Sequence, residues 1–353
     1  MKVRRTSYIF KKCGFRRWKS NEEAALLDLG FSQNREHRGT HSPRLYFSGL
    51  AVSFSRVQRP NPSAIHIRRP FGRFGNQVFQ ILHALALARR WGVQEIIAPG
   101  NVVFERENSP IDLDGVDLYF SPGDITWGSS RASRIFPSLR NRFHLAYNAF
   151  FADHPGELEI PLTAVEFDRA SEALATTWGK VRPKKLPDDH LVIHLRAGDV
   201  FSRDPNPLYG QPPLSFYEKV LAMKSWAFVS VVREDARHPL EKALSELLEA
   251  TSAVFDFRSA SLVEDIDFLR SATNLVSSRG TFVPAISSLS PDLERVFVFG
   301  PEGRFHSRIE VVRILDTTQR YWRAVCDSNW ENSEAQRNLM ASYPAKHLSV
   351  VCE

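Results

Sequence analysis

The sequence predicts an α/β protein built on mainly parallel sheets. Two observations carry this: from about residue 63 short apolar runs alternate with amphipathic segments, and in the second half that alternation continues through five strands. Such an order of elements is that of a doubly wound nucleotide-binding domain.

The first unit is a strand at 64–67, a Gly-containing loop at 70–75 and a helix over about 76–91. Its apolar residues Val78, Phe79, Leu82, Leu85, Ala86 and Trp91 fall near helical spacing. Asn76 is the predicted N-cap, Arg89 and Arg90 suit the last turn, and Gly92 stops the helix. A strand follows at 95–98, after which the pattern weakens. Pro183, Lys184, Lys185 and Pro187 read as a linker, because paired prolines disfavour both helix and central strand, so a domain boundary is expected near 183–189.

Beyond it come a strand at 191–195, a proline-rich loop at 205–213, a helix at 214–224, a strand at 227–232, a helix at 239–250 and a strand at 253–257. A helix at 261–272, a strand at 274–277, a helix opening near Gly280 and a strand at 295–299 complete the run. After about 318 one more helix at 319–325 is expected, then a loose tail.

With 353 residues, 43% apolar and 24% charged, the chain has room for about two domains and is not a disordered, collagen-like or disulfide-scaffold sequence. No stretch reaches the roughly 18 uninterrupted apolar residues of a membrane span, and no apolar signal core follows the basic start, so a type II membrane anchor is not expected. The net charge of +6 is unevenly placed: residues 1–60 hold 13 Lys and Arg against 4 Asp and Glu, and the rest hold 33 against 36. That segment reads as a basic N-terminal extension over 1–62, a targeting remnant, or an arm that binds nucleic acid or an anionic membrane. Cys13, Cys326 and Cys352 are scattered, with no metal-ligand spacing and no disulfide framework. A reducing compartment, hence a cytoplasmic location, is the expectation.

Three places carry candidate chemistry, each where the carboxyl end of a strand meets a loop or helix, the crevice in which open α/β sheets bind ligands. The first is Gly72-Arg73-Phe74-Gly75-Asn76-Gln77, where two glycines let backbone approach a ligand and a helix N-terminus attracts an anion. It is neither a dinucleotide fingerprint nor a P-loop, and a turn with a cap also accounts for it. The second is His194-Leu195-Arg196-Ala197-Gly198-Asp199, in which alternation sets His194 and Arg196 on one face. A guanidinium suits a diphosphate because its fork donates parallel charged hydrogen bonds and stays protonated; an ion pair of Arg196 with Asp199 is the structural alternative. The third is Ser277-Ser278-Arg279-Gly280-Thr281-Phe282, whose hydroxyls and amides could hold phosphate oxygens or cap a turn. Asp112-Leu113-Asp114 is a triplet of the kind that holds a divalent ion, though short and common, and no metal is assigned. Tyr209, Pro212, Pro213, Phe216 and Tyr217 form a cluster suited to acceptor stacking or to packing at a helix start.

Three anion-competent loops in this architecture point to a nucleoside diphosphate, and the combination matches a family. GRFGNQVFQILHALALA, IHLRAGD and the stretch from Glu264-Asp265-Ile266 through Gly280-Thr281-Phe282 resemble the GDP-fucose-dependent fucosyltransferases, in particular the α-1,2-fucosyltransferase-like group (glycosyltransferase family 11-like), with a likeness to protein O-fucosyltransferases in the first motif. The resemblance runs from about 65 to 300. It implies a GT-B-like glycosyltransferase, with two Rossmann-like doubly wound domains facing a cleft: 63–186 on the acceptor side, 187–317 holding the nucleotide sugar, and 318–353 a C-terminal helix and tail.

By the same resemblance Arg196 would grip the β-phosphate with His194 beside it, and Thr281, Phe282 and Ser278 would lie at the pyrophosphate and base. Asp265 would lie at the guanine or its loop, and Arg73, Phe74, Gly75 and Asn76 would reach the donor from the facing domain. The reaction implied is inverting and metal-independent, moving fucose from GDP-fucose to a hydroxyl of a glycan or glycoconjugate, with GDP-fucose as donor substrate rather than cofactor and no nucleic acid as partner. Asp204 matches the spacing of a base carboxylate in the related α-1,6 enzymes, and Asp199 is the other candidate. The chain departs from the family at Ala197, where a second arginine is usual, and at Arg279-Gly280, where the α-1,2 group shows Asn-Ser. Those departures leave open a relative that binds nucleotide sugar or glycan without transfer.

Overall fold

In the computed structural model two sheets, both predominantly parallel, organise the described residues, which are 64–67, 72–99, 110–121, 142–145, 162–178, 183–301 and 303–352. The basic segment 1–62 lies outside them. The first sheet has the order β3-β4-β2-β1-β5, from β1 (Ala64–Ile67), β2 (Glu95–Pro99), β3 (Ile111–Asp112), β4 (Asp117–Ser121) and β5 (Arg142–Leu145). β1 runs parallel to β2 and β5, with Ile65 opposite Ile96 and Phe143, and only β3 is antiparallel to its neighbour.

The second sheet comprises β6 (His190–Leu195), β7 (Phe228–Arg233), β8 (Val254–Arg258), β9 (Asn274–Ser277), β10 (Arg295–Phe299), β11 (Glu310–Asp316) and β12 (Leu348–Cys352). Its order is β12-β11-β10-β9-β6-β7-β8, parallel throughout except for β12 against β11. The chain enters in the middle at β6, winds out through β7 to β8, then returns to the other side of β6 and winds out through β9, β10 and β11. That is a doubly wound order, and the direction of winding reverses between β6 and β9, which is where such sheets open a binding crevice.

Seven helices lie among the described residues: α1 (Phe74–Trp91), α2 (Ala164–Thr177), α3 (Leu214–Leu221), α4 (Glu241–Glu249), α5 (Leu262–Arg270), α6 (Phe282–Leu289) and α7 (Glu334–Ser342). α1 ends on Gly92, whose φ of 69° is the left-handed conformation that a C-terminal glycine supplies. At its start the expectation fails: the N-cap is Arg73, with no side-chain cap bond, and Asn76 lies inside the first turn. Capping boxes open α2 (Thr163 with Glu166), α5 (Ser261 with Glu264) and α7 (Ser333 with Gln336).

α1 and α2, from the first half, pack on α6 from the second. One apolar core accordingly joins Ile65, Val78, Leu82, Phe167 and Leu174 to Ile266, Leu275, Ile286 and Val296. A second core, on the opposite face of the second sheet, gathers Ile193, Phe216, Val229, Leu244, Phe297, Tyr321 and Trp330. The described residues all belong to one unit, Gln58–Glu353. Among them no helix is long and apolar enough to cross a membrane.

The chain after 318 is not a loose tail. Asp316, at the end of β11, accepts hydrogen bonds from Thr318 Oγ1 (2.9 Å), from the Trp322 amide (3.0 Å) and from the Tyr343 hydroxyl (2.6 Å). This buried carboxylate draws the following turn and the segment after α7 onto the sheet, and β12 then pairs along β11. The expected helix at 319–325 is present over 320–326, but most of it, Trp322–Cys326, is wound as a wider π-helix, whose Val325 and Cys326 are buried.

Candidate active site

β6 and β9 are neighbours, with Ile193 opposite Val276, so the residues that leave the two strands emerge side by side at the point of reversal. His194 is buried, its Nδ1 lies 2.5 Å from Ser278 Oγ, and its ring centroid is 4.8 Å from that of Phe282. Burial first, and the Arg196 charge second, lower its pKa to about 3. At neutral pH His194 is an uncharged imidazole, fitted to hold the Ser278 hydroxyl and the Phe282 ring rather than to supply positive charge.

The positive charge is Arg196. Its side chain is 15% exposed, Nη1 donates to the Arg279 carbonyl at 3.2 Å, Nη2 lies 3.5 Å from Asp199 Oδ1, and the guanidinium sits 4.2 Å from the centroid of the Tyr209 ring. Burial lowers its pKa, and Asp199 and Tyr209 oppose that shift. Gly280 has a φ of 132°, and a Cβ there would collide with Arg196 Nη1, so the turn after β9 needs glycine both for its backbone and for the guanidinium beside it. Ala197 is fully buried.

The first motif arrives from the opposite side. A Cβ on Gly75 would lie 2.6 Å from the Thr281 carbonyl oxygen, so the absence of a side chain allows the start of α1 to touch the start of α6. Thr281 Oγ1 donates to Asn76 Oδ1 at 2.6 Å. The Phe74 ring meets Phe282 and Trp178 edge-on, each at 5.7 Å between centroids. Arg73 pairs with Asp199, and its Nη1 lies 2.8 Å from Glu234 Oε1 at the end of β7. Thus Arg73, Phe74, Gly75, Asn76, His194, Arg196, Ser278, Thr281 and Phe282 share one locus, although up to 209 positions separate them in the chain.

Two predicted residues stand apart. Asp265 is in the first turn of α5, where Oδ2 accepts a long hydrogen bond from the Ala260 amide (3.5 Å) and Oδ1 is 4.0 Å from Arg258 Nε; burial raises its pKa. The segment before it is tied to the locus through Ser259, whose hydroxyl donates to the Glu234 carbonyl at 3.2 Å. Asp204 is exposed in the bend after a short 3-10 turn, Gly198–Phe201, and no hydrogen bond or ion pair joins it to Arg196 or His194. The Asp112-Leu113-Asp114 triplet forms the β3–β4 turn, where Asp112 Oδ1 accepts from the Gly115 amide (2.7 Å) and Asp114 pairs with Arg89 (2.7 Å). The aromatic cluster divides: Tyr209 faces Arg196, while Phe216 and Tyr217 are buried in the core.

Glu234 and Gln211 were not singled out from the sequence. Glu234 follows a strand end as Asp199 does, and its position was the available signal. Gln211 sits between Gly210 and Pro212 with nothing in its spacing to mark it.

The locus and its sheets define an α/β protein in which two arginines, Arg73 and Arg196, and two carboxylates, Asp199 and Glu234, meet at a topological switch point. No protein-family model and no curated protein matches the sequence. Among solved structures the chain is similar to POFUT1 in complex with GDP, at 13% identity and a TM-score of 0.36 over 69% of this chain and 99% of that one. It is also similar to POFUT1 in complex with GDP-fucose (13%, TM-score 0.37, 69% and 99%) and to E. coli heptosyltransferase WaaC with ADP (13%, TM-score 0.35, 71% and 92%). At that level of likeness only this chain's own residues bear on its chemistry.

Proposed function

We propose that the chain is a glycosyltransferase that uses a GDP-sugar, with fucose as the sugar that the three motifs favour and a glycan hydroxyl as acceptor. The observation that carries the reading is the setting of Arg196: a guanidinium at the switch point, held by one backbone carbonyl and one aromatic face, with Arg73 approaching from the other sheet and Asp199 between them.

In the reaction the bond between the anomeric carbon and the β-phosphate oxygen breaks, its electron pair leaves with GDP, and the acceptor oxygen bonds to the anomeric carbon and gives up its proton. A fixed cation at the β-phosphate stabilises the developing charge. Arg196 supplies it, and Arg73 adds a second once Asp199 has yielded to the phosphate. His194, neutral and hydrogen-bonded to Ser278, keeps that side of the crevice in place without competing for the anion. The acceptor proton goes to a carboxylate, for which Asp204 is the candidate without an ion pair of its own and Asp199 the candidate already engaged by arginine.

A second reading, binding of a nucleotide sugar without transfer, is favoured by Ala197, where the resembled family usually places a further arginine. Release of GDP from GDP-fucose, measured with EDTA present, separates the two. The transferase reading predicts turnover that is lost in Arg196→Ala; the binding reading predicts a GDP-dependent gain in stability with no turnover.

A further inference from the structure

Gln211 is fully buried and binds the backbone of two of the three residues that hold Arg196, Tyr209 and Arg279. Its Nε2 donates to the Tyr209 carbonyl at 2.7 Å and at longer range to the Arg279 carbonyl at 3.4 Å, and its Oε1 accepts from the Arg279 amide at 3.2 Å. The side-chain amide therefore grips the Arg279 residue at its N–H and its C=O, and that same C=O accepts from Arg196 Nη1. Tyr209, whose backbone it fixes, lays its ring on the guanidinium. The backbone of Gln211 is held in turn, because the Tyr321 hydroxyl donates to its carbonyl at 2.7 Å, and the Arg279 guanidinium donates to the carbonyls of Gly210 (3.2 Å) and Cys326 (3.0 Å).

We infer that Gln211 is a positioning residue for phosphate recognition: it sets the direction of the Arg196 guanidinium by clamping the Arg279 peptide and the Tyr209 loop, with the turn after β11 as its anchor. The inference rests on the nucleotide reading above. The chemistry requires a neutral amide, since donor and acceptor are needed at once in a buried place; a carboxylate accepts but does not donate, and an aliphatic side chain does neither.

The test measures dissociation constants of GDP and GMP for the native protein, Gln211→Leu, Arg196→Ala and the double variant. Gln211→Leu is expected to weaken GDP about tenfold, the order of one charge-assisted hydrogen bond, and to leave GMP, which lacks the β-phosphate, within about twofold. In the Arg196→Ala background the same change is expected to cost nothing further, because the two residues act through one contact. Equal losses for GDP and GMP, or losses that add to those of Arg196→Ala, would overturn the inference. If Gln211→Leu does not fold, Gln211→Glu keeps the shape and the acceptor while losing the donors, and the same two criteria apply to it. A native protein that binds no GDP would overturn the nucleotide reading and this inference together, whereas native binding that is indifferent to Gln211 would overturn this inference alone.

Discussion

Thr281, the residue that precedes α6, donates a hydrogen bond across 2.6 Å to Asn76 in the first turn of α1, and the two helices follow strands of different sheets. Beside that bond Gly75 leaves no room for a side chain, since a Cβ would press on the Thr281 backbone rather than on a movable side chain. Gly75→Ala is therefore expected to push the starts of α1 and α6 apart and to cost about 2 kcal/mol, the usual scale of overpacking at a tight contact. Urea unfolding of the variant measures this, and an unchanged midpoint would show that the two starts have slack.

Asp199 is shared by Arg73 and Arg196, so an incoming phosphate competes with a carboxylate already in place. Asp199→Asn removes that competitor and is expected to tighten GDP binding by no more than about fivefold, because exposed ion pairs are worth at most about 1 kcal/mol. Calorimetric titration reads the change. Weaker binding in Asp199→Asn would mean that Asp199 contacts the ligand favourably instead.

Three buried histidines make stability sensitive to mild acid. His194 and His238 have pKa values lowered to about 3 and His83 to about 4, in each case mainly through burial. The unfolded chain takes up protons near 6.5, where the folded one does not, so the stability these groups contribute is full above that pH. It is lost progressively as pH falls toward their folded values. Each contributes a slope of up to about 1.4 kcal/mol per pH unit in that window. The urea midpoint should drop between pH 7 and 5.5, above the range in which ordinary carboxylates titrate; a flat midpoint there would contradict the burial of these rings.

Tyr343 and Asp316 anchor the C-terminal segment. Burial works against the Asp316 carboxylate, yet the hydrogen bonds from Tyr343, Trp322 and Thr318 outweigh it and leave the pKa below its usual value. Tyr343→Phe removes one of these bonds and is expected to cost about 2 kcal/mol, the scale of a hydrogen bond to a charged acceptor. Thermal unfolding tests it, with no change as the opposing result.

Much of the second sheet was legible because its strands end on recognisable turn residues: 191–195, 274–277 and 295–299 are apolar runs, each closed by charged or glycine-containing loops, and the structure shows strands at those places. The convergence of the three motifs followed from one rule, that loops after parallel strands share an edge. The wrong placement of Asn76 came from reading an amide near a helix start as a cap, when its partner, Thr281, is 205 positions away and invisible to local reasoning. β11 was missed because Arg313 and the closing Asp316 break its apolar pattern, and β12 because the segment after 325 reads as a loose tail, when what orders it is pairing with β11. Gln211 had no local signal, since its role depends on a peptide that only the fold brings to it.

The claim that Arg196 is the centre of a nucleoside diphosphate site is tested most directly by titrating GDP and UDP into the native protein and into Arg196→Ala. GDP should bind the native protein, UDP should not, and the variant should lose at least about tenfold in GDP affinity, roughly 1.4 kcal/mol, while keeping its unfolding midpoint. Native protein that ignores GDP, or a folded variant that binds it as well as the native protein does, would contradict the account.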